Sequence, residues 1–375
     1  MMEEILVARK LRRGYTTGTC AAAASKAAAI ALWQGKKVEN VTLTLPRGER
    51  VNIPVSVRET SFGTEAKVIK DAGDDPDITN GVAIYAHARK REQGLVLKGG
   101  KGIGVVTCPG LAVPVGEAAI NPVPRQMIEE AVAPIIDTGK GIELTISIPE
   151  GEKLAKKTLN PRLGIEGGLS ILGTTGIVEP MSEEAFRSSL LPQIDVAKAA
   201  GWDTLILTPG RMGQRQAEEK YGLPSNAIVL TSNFLGFMLE GCVERGIKRV
   251  LLWGHAGKLV KVAGGIFYTH SRIADSRQEI LAAWAAAYGA PQNVVNQILM
   301  STTVEAVFDL IPNTGWGEGF LDKLAGRASQ RAQNFVFDEL EVGTVLLNLK
   351  GQMIGSDQVA KEILEAYSWQ TKKDG

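Results

Sequence analysis

Short apolar strands alternate with helical segments through the second half of the sequence. The predicted strands are Thr204–Leu207, Ile228–Leu230 and Val250–Trp253, and the helical patterns lie around residues 213–221, 233–245 and 258–266. Strands this short and apolar are typical of positions buried on both faces of a sheet, and a helix is the usual connection between parallel strands. The pattern therefore predicts βαβ units and a Rossmann-like domain with a mainly parallel sheet.

The first part of the chain has a different pattern. Alternating or β-branched runs predict strands at Val41–Leu45, Val51–Val57, Ala66–Ile69, Val82–Ala86, Gly104–Thr107 and Ile142–Ile148. An alanine-rich helix is expected at Ala21–Trp33, ending near Gly35, and a second helix opens at Asn121-Pro-Val-Pro-Arg125. Few helices among many strands predict an α+β domain with a mixed sheet.

A polar, lysine-containing connection runs from Pro149 to Leu163, and a chain of 375 residues exceeds the usual single-core range. We therefore predict two domains, an α+β domain at residues 1–155 and an α/β domain with C-terminal helices at residues 156–375. The remaining predicted elements are helices near 276–289, 292–311 and 319–335, a hairpin at 343–354 and a final helix from Asp357 to about Tyr367.

Charge and cysteine content narrow the class of protein. The net charge is +1 and no block of five or more like charges occurs, which argues against a nucleic-acid partner. Three widely spaced cysteines favour a reducing compartment. Residues Met1–Lys10 contain no apolar leader region, and the apolar stretch Cys20–Trp33 is too short to cross a bilayer. We expect a cytoplasmic protein without a membrane partner; a homo-oligomer is left open.

The segment Tyr15-Thr-Thr-Gly-Thr-Cys20 lies at the start of the alanine-rich helix. Free N–H groups at a helix start, together with the hydroxyls of Thr16, Thr17 and Thr19 around Gly18, could receive a carboxylate or a phosphate. The alternative is that Thr17 or Thr19 is only the N-cap of the helix.

Four carboxylates occur within Asp71-Ala-Gly-Asp-Asp-Pro-Asp77. In a cleft this loop would attract a cation or an amino group, and the pKa values of some of its acids would rise. The alternative is a solvated turn.

Two basic residues of the first part are candidate anion contacts. Lys101 lies in the glycine-rich turn Gly99–Gly104, which lacks the context of a dinucleotide fingerprint. Arg125 lies in the first turn of a helix, where a positive charge opposes the helix dipole unless an anion binds beside it. For Arg125 the alternative is an ion pair with a neighbouring carboxylate.

A similar helix start follows the predicted strand at Val250–Trp253. Lys258 and Lys261 share one helix face, and His255 lies in the preceding turn, so that they form a candidate anion site at the carboxyl edge of the sheet. Neither a Walker A motif nor a zinc motif is present. For His255 the alternative is a hydrogen-bonded structural histidine.

Two glycine-rich turns are further candidate cradles for a ligand, because glycine permits close backbone approach. One is Gly164–Gly176, which ends in Gly173, Thr174, Thr175 and Gly176; the other contains Gly210 and Arg211 directly after a predicted strand. Either turn could instead be a tight connection.

Long motifs of this sequence resemble the CbiD family, the cobalt-precorrin-5B C(1)-methyltransferases. The likeness begins at Leu11-Arg-Arg-Gly-Tyr-Thr-Thr-Gly-Thr-Cys-Ala-Ala-Ala-Ala24 and spans residues 11 to about 280. The other matching stretches are Asp71–Asp77, Gly100–Gly110, Gly116–Ile128, Thr158–Pro180 and Gly254–Asp275.

The resemblance implies S-adenosylmethionine-dependent methylation of ring carbon 1 in cobalt-precorrin-5B, giving cobalt-precorrin-6A in the anaerobic route to cobalamin. A corrinoid carries many carboxylates, which Lys101, Arg125, Arg211, Lys258 and Lys261 would suit. Cobalt would arrive with the substrate, so that no protein-bound metal is expected. Methyl transfer mainly requires alignment of the reacting atoms. His255, Asp74 or Asp75 could move a proton, or the acidic loop could face the positively charged donor.

Two other functions are compatible with the residues. One is a nucleotide-dependent transferase of small molecules that uses the Gly254–Lys258 turn for phosphates. The other is a corrinoid carrier without catalytic activity. Binding of nucleotide triphosphate without S-adenosylmethionine would favour the first, and bound but unmethylated corrinoid would favour the second.

Overall fold

The computed structural model describes residues 11–371, and side chains through Tyr367. Residues Met1–Lys10, on which the expectation about a leader partly rests, lie outside this range.

The chain forms two compact units, which divide between Glu183 and Glu184. The division lies later than the predicted boundary between residues 155 and 156, because the segment that follows returns to the first unit. Ile165–Glu166 pairs antiparallel with Val105–Val106, and Ile177–Val178 pairs antiparallel with Gly14–Tyr15. The polar connection at residues 149–163 therefore lies within the first unit and does not separate two domains.

From residue 11 onward, the described part of the first unit has eleven short or medium strands and three α-helices. The strands are β1 (Gly14–Tyr15), β2 (Asn40–Thr44), β3 (Arg50–Pro54), β4 (Ser56–Thr60), β5 (Gly63–Ile69), β6 (Ala83–Arg91), β7 (Gly94–Gly99), β8 (Val105–Val106), β9 (Gly141–Ser147), β10 (Ile165–Glu166) and β11 (Ile177–Val178). The helices are α1 (Thr17–Gln34), α2 (Pro122–Val132) and α3 (Gly151–Ala155).

The main sheet of the first unit has the order β4-β5-β6-β9-β7. β7 runs parallel to β9 and the other neighbours are antiparallel, so the sheet is mixed, as predicted. The predicted strand Val51–Val57 is two strands, since β3 ends at Pro54 and β4 begins at Ser56. Proline cannot donate to a strand ladder, which explains why pairing changes there.

Helix α1 is the centre of the first unit. Its alanines at positions 21–24 and 27–29 have no exposed surface, and the helix packs against α2, β5 and β6. The hydroxyl of Thr64 donates to the carbonyl of Ala28 at 2.7 Å, which shows how closely the sheet approaches the helix backbone. The predicted end at Gly35 is confirmed: this glycine is left-handed and its N–H donates to the carbonyl of Ala31.

The second unit contains five strands, and ten helices belong to this part of the described chain. The strands are β12 (Thr204–Thr208), β13 (Ile228–Leu230), β14 (Arg249–His255), β15 (Glu341–Leu347) and β16 (Met353–Ser356). The helices are α4 (Glu183–Ser188), α5 (Pro192–Ala199), α6 (Arg211–Arg215), α7 (Leu235–Glu244), α8 (Ala256–Ala263), α9 (Arg277–Ala287), α10 (Gln292–Met300), α11 (Val304–Phe308), α12 (Phe320–Phe335) and α13 (Gln358–Thr371).

The sheet of the second unit has the order β13-β12-β14-β15-β16. The first three pairings are parallel and β16 is antiparallel to β15, as the predicted mainly parallel sheet and hairpin require. Its central strand β14 ends at His255, and α8 begins at the next residue. The start of α8 therefore lies at the carboxyl edge of the sheet.

The helix predicted at residues 292–311 is wrong in extent. Helix α10 ends at Met300 and α11 begins at Val304, because Ser301 is extended and Thr303 caps the second helix by accepting the N–H of Ala306 at 3.2 Å. Neighbouring serine and threonine side chains favour such local caps over a continuous helix. Among the described helices, none is both long enough and apolar enough to span a membrane.

Candidate functional site

Hydrogen-bond donors at the start of α1 are bonded to other groups of the same chain. Thr16 is the N-cap, since its hydroxyl accepts the N–H of Thr19 at 3.2 Å, and the N–H of Gly18 donates to the carbonyl of Leu172 at 3.0 Å. Thr16, Thr17 and Thr19 are all buried. The structure thus favours the capping alternative, on Thr16 rather than on Thr17 or Thr19, and anion binding here stays a prediction.

The glycine-rich loop that contains Thr174 and Thr175 packs directly against this helix start. Gly176 accepts the N–H of Thr16 at 3.1 Å and the hydroxyl of Thr19 at 2.7 Å. At Gly173, where φ is +133°, a Cβ atom would lie 2.4 Å from Oγ1 of Thr16. The structure therefore brings two predicted segments together, and glycine is needed here for the close approach of loop and helix.

The acidic loop is an ordered turn with protein partners. Arg12 donates to both carboxylate oxygens of Asp71, at 2.5 and 2.8 Å, and this hydrogen bond holds the pKa of Asp71 below its ordinary value. Burial would raise the pKa of Asp77, but the hydrogen bonds from Lys70, at 2.7 Å, and from Thr79 outweigh it, so the pKa of Asp77 is lowered. The loop thus stabilises its ionised acids, and the expected rise in pKa is not found at these two positions.

Asp74 and Asp75 accept backbone N–H groups. Asp74 accepts the N–H of Arg12 at 2.7 Å and Asp75 accepts that of Met181 at 2.8 Å. The loop therefore joins the chain before β1 to the segment after β11. A catalytic role for either carboxylate stays a prediction.

The two basic candidates of the first unit lie at the surface. Lys101 is exposed, and its backbone carbonyl accepts the N–H of Ile148 at 2.9 Å. Arg125 is half-buried, and its Nη2 lies 3.3 Å from the carboxylate of Glu117. The ion pair that was the alternative interpretation of Arg125 is therefore present.

In the second unit, Gly210 and Arg211 open the five-residue helix α6, and both are exposed. Gly210 is extended, and its carbonyl accepts the hydroxyl of Thr208 at 3.3 Å. A ligand contact at this turn stays a prediction.

His255 is the N-cap of α8. Its Nδ1 accepts the N–H of Gly257 at 3.1 Å, and its Nε2 lies 2.9 Å from Oε1 of Glu305. Because Nδ1 accepts, the ring proton is on Nε2 and faces the carboxylate. The same carboxylate oxygen accepts the N–H of Leu349 at 2.9 Å. Both ring nitrogens are therefore engaged, as the alternative of a structural histidine requires, and a proton-transfer role for His255 stays a prediction.

A basic cleft of about 340 Å³ lies beside the start of α8. The residues that line it are Asn233, Gly257, Lys258, Lys261, Thr269, His270, Ser271 and Arg277. We call it the α8 cleft. It contains two of the predicted basic residues, Lys258, which is half-buried, and Lys261, which is buried.

The two lysines of the α8 cleft have different surroundings. The amino group of Lys258 donates to Oδ1 of Asn233, and burial, followed by the nearby charges of Lys261 and Arg277, lowers its pKa. The buried amino group of Lys261 donates to the carbonyls of Thr269 at 3.2 Å and Ala274 at 2.6 Å. Burial also lowers the pKa of Lys261, which the carboxylate of Asp275 partly opposes. Lys261 thus holds the loop after Thr269 against α8, and Lys258 remains the half-buried cation of the cleft.

Several residues of the α8 cleft were not singled out from the sequence, among them Asn233, Thr269 and Arg277. Asn233 follows the carboxyl end of β13, Thr269 is 1% exposed, and Arg277 is the first residue of α9. Arg277 donates to both carboxylate oxygens of Asp275, at 2.6 and 2.9 Å. The rule applied to Arg125, a basic residue at a helix start, would have identified Arg277 as well.

The two buried thiols and the grouping of potential metal ligands suggest no further centre among the described residues. Burial raises the pKa of Cys20 and of Cys242 to about 12, so these groups are neutral thiols at physiological pH. Within residues 11–371, no three His, Cys, Asp or Glu side chains are grouped in a way that could hold a metal ion.

Comparison with protein families gives two matches along the chain. Residues 5–180 match the CbiD family model, and residues 268–358 match the model of the CbiD C-terminal domain. The first match ends close to the division between the two units.

Curated proteins of high similarity carry one name. A cobalt-precorrin-5B C(1)-methyltransferase of Moorella thermoacetica is 69% identical over 356 residues, covering 95% of this chain and 98% of that protein. The protein of the same name from Desulfitobacterium hafniense is 49% identical, and the match covers 96% of this chain and 93% of that protein. The one from Methanocaldococcus jannaschii is 44% identical, and the match covers 93% of this chain and 97% of that protein.

A solved structure is also similar to part of the chain. The protein in a crystal structure titled cobalamin biosynthesis protein (cbiD) from Archaeoglobus fulgidus is 30% identical in sequence. The match covers 72% of this chain and 84% of that chain, with a TM-score of 0.40.

Proposed function

The chain belongs to the CbiD family, and on this premise we propose that it is a methyltransferase that acts on ring carbon 1 of cobalt-precorrin-5B in cobalamin biosynthesis. The nearly full-length similarity to curated enzymes of that name carries the proposal. Cobalt belongs to the substrate. The product would be cobalt-precorrin-6A.

The methyl donor in this proposal is S-adenosylmethionine, which supplies an electrophilic methyl group on a positively charged sulfur. A carbon–carbon bond forms at ring carbon 1 while the sulfur–methyl bond breaks, and the sulfur keeps the electron pair. The α8 cleft fits a donor that bears a carboxylate, because Lys258 and Arg277 supply positive charge there and Thr269 has a buried hydroxyl without a partner among the described residues.

The contribution of the protein is mainly positioning. Reacting atoms held about 3–3.5 Å apart in the correct orientation gain much of the rate enhancement without an acid or a base. His255 keeps α8 in place through Gly257 and Glu305. Asp74 is exposed, and attraction of the positively charged donor by its carboxylate is the alternative to the α8 cleft, since it would bind the donor at the first unit instead.

We also propose that the second unit is Rossmann-like and that the protein is cytoplasmic. The three parallel pairings of the second sheet support a Rossmann-like description of the second unit. The free thiols of Cys20, Cys108 and Cys242 support a reducing, cytoplasmic location.

The decisive experiment incubates the purified chain with cobalt-precorrin-5B and S-adenosylmethionine carrying a ¹³C-labelled methyl group. We expect one labelled methyl group on ring carbon 1, identified by NMR, and release of S-adenosylhomocysteine. A reaction without protein is the control.

The other two functions give different results in this experiment. A carrier would retain the corrinoid without adding a methyl group. A nucleotide-dependent transferase would bind nucleotide triphosphate and would show no binding of S-adenosylmethionine in calorimetry. Either result would contradict the proposed function.

A further inference from the structure

We infer that the α8 cleft is a carboxylate-binding site in which Lys258, Arg277 and the hydroxyl of Thr269 meet one carboxylate of a ligand. The inference rests on the proposed function, which provides two ligands that carry carboxylates. One is the amino-acid end of the methyl donor, and the other is an acetate or propionate arm of the corrinoid.

The first supporting observation is an uncompensated charge. Lys258 is half-buried, and its partner Asn233 is a neutral amide. The charged neighbours that act on its pKa are Lys261 and Arg277, both of them cations. A partly buried ammonium without a counterion is unfavourable, and an incoming carboxylate would supply the missing charge.

The second observation is independent of charge. Thr269 is 1% exposed, and its Oγ1 has no hydrogen-bond partner among the described residues. Buried hydroxyls are nearly always paired, and of the described residues with a buried unpaired side-chain atom, Thr269 is the one that lines the α8 cleft. A carboxylate oxygen accepts such a hydroxyl.

The cleft is also held in a fixed shape. Lys261 donates to the carbonyls of Thr269 and Ala274, and the backbone N–H of Thr269 donates to the carbonyl of Asn233 at 3.0 Å. Arg277 uses Nε and Nη2 for Asp275, whereas its Nη1 lies 3.9 Å from the position that a Cβ atom on Gly257 would occupy. Lys261 is therefore a positioning residue, and Nη1 of Arg277 is directed toward the start of α8.

The size of the cleft agrees with one small ligand or one arm of a large ligand. Small-molecule sites usually measure about 300–1,000 Å³, and the α8 cleft, at about 340 Å³, lies near the lower limit. A depression of about 180 Å³ on the sheet of the first unit is smaller, and its Arg58 is already paired with Glu65 at 2.6 Å. The α8 cleft is therefore the better candidate.

The test measures binding of S-adenosylhomocysteine and of cobyrinic acid, a corrinoid polycarboxylate, by calorimetry to the wild-type chain and to three variants. Thr269→Val removes the hydroxyl and nearly keeps the side-chain shape, and Lys258→Met removes the charge. Lys361→Met, which changes an exposed lysine of α13, is the matched control. Thermal melting of each variant monitors folding.

We expect Thr269→Val to melt no lower than the wild type, because it removes an unpaired buried hydroxyl, and to weaken one ligand about ten-fold. Lys258→Met should weaken the same ligand about ten- to hundred-fold. Lys361→Met should bind both ligands as the wild type does. A purely structural role for Thr269 would lower the melting temperature and leave affinity unchanged.

The affected ligand identifies the source of the carboxylate. Weaker binding of S-adenosylhomocysteine assigns the cleft to the donor, and weaker binding of cobyrinic acid assigns it to the corrinoid. Unchanged affinity for both ligands in folded Thr269→Val and Lys258→Met overturns the inference, even if both variants still transfer methyl groups. If the wild type binds neither ligand and transfers no methyl group, the proposed function fails. Citrate then tests the cleft alone, and binding that persists in Lys258→Met overturns the inference.

Discussion

Nε2 of His255 donates its proton toward Oε1 of Glu305 across 2.9 Å. The other ring nitrogen accepts the N–H of Gly257, so this histidine links the end of β14, the start of α8 and the segment that contains Glu305. An imidazole with both nitrogens engaged has no free position for a substrate proton unless one hydrogen bond opens.

We predict that His255 can be replaced by another capping residue. His255→Asn keeps an oxygen that can accept the N–H of Gly257, whereas His255→Ala should lose about 1 kcal/mol of unfolding free energy. Urea unfolding and the methyl-transfer rate would be measured for both variants. A rate loss of about a hundred-fold in a folded Asn variant would instead show that the ring takes part in proton transfer.

Lys70 and Asp77 form a buried ion pair. The side chain of Lys70 is 1% exposed, and its Nζ lies 2.7 Å from Oδ2 of Asp77. Lys70→Met should lower the unfolding free energy by about 3–5 kcal/mol, because it leaves a partly buried carboxylate without its cation. The double variant Lys70→Met with Asp77→Asn is the control, and it should recover part of the loss. Equal losses in the single and double variants would contradict this explanation.

The same pair predicts a dependence of stability on pH. The pKa of Asp77 is lower in the folded chain than in the unfolded chain, so the unfolded chain binds the proton first as the pH falls. The stabilisation is therefore complete above the ordinary aspartate pKa of about 4, and it is lost as the pH falls through the lowered pKa. Unfolding at a series of acidic pH values should show this loss in the wild type, and Lys70→Met should reduce it.

Binding to the α8 cleft should weaken at alkaline pH. The pKa of Lys258 lies below 10.5, and a bound carboxylate would raise it, so ligand binding is linked to protonation of this amine. Affinity should therefore fall as the pH rises through the lowered pKa, at a lower pH than an ordinary lysine would give. Calorimetry at increasing pH checks this. In Lys258→Met the remaining affinity should not fall over this pH range. If the affinity of the variant falls as that of the wild type does, another group causes the pH dependence.

Gly173 should tolerate no side chain, whereas Gly35 should tolerate one better. Both have positive φ values, but a Cβ atom on Gly173 would meet Thr16 at 2.4 Å and one on Gly35 would meet nothing within 4 Å. Gly35→Ala should therefore show only the cost of backbone strain, about 1–3 kcal/mol, and Gly173→Ala should lose more. The melting temperatures of the two variants would be measured and compared. Equal losses would show that the loop moves away from the helix without cost.

The pattern of apolar residues predicted much of the architecture, because this pattern reflects which residues of each helix or strand are buried. The parallel strands β12, β13 and β14 and the helix end at Gly35 were all recognisable from runs of apolar residues and a terminal glycine. The break between α10 and α11 was not, since it depends on whether Thr303 caps a new helix or continues the old one. The division between the units was placed too early because pairing of β11 with β1 joins residues far apart in the sequence.

The candidate site was predicted only in part. Lys258 and Lys261 were identified from their position after a strand, but their different roles depend on Asn233 and on two backbone carbonyls that periodicity does not reveal. Thr269 was missed because an unpaired hydroxyl is a property of its surroundings. The threonines near α1 have hydroxyls suited to an anion. The donors of this segment are occupied, however, by the carbonyls of Ser170, Leu172 and Gly176, which lie 153 or more residues away in the sequence.

Among the described strands, β1 pairs with β11 alone, and the ribosome synthesises β11 much later. A nascent chain that has emerged only to residue 155 lacks β10 and β11, so two edges of its first unit remain uncovered. Closure of such long-range pairs is slow, because the loop-closure entropy is lost before the contacts form. A fragment for separate expression of the first unit should therefore extend to Glu183, because one that stops near residue 155 lacks the partners of β1 and β8.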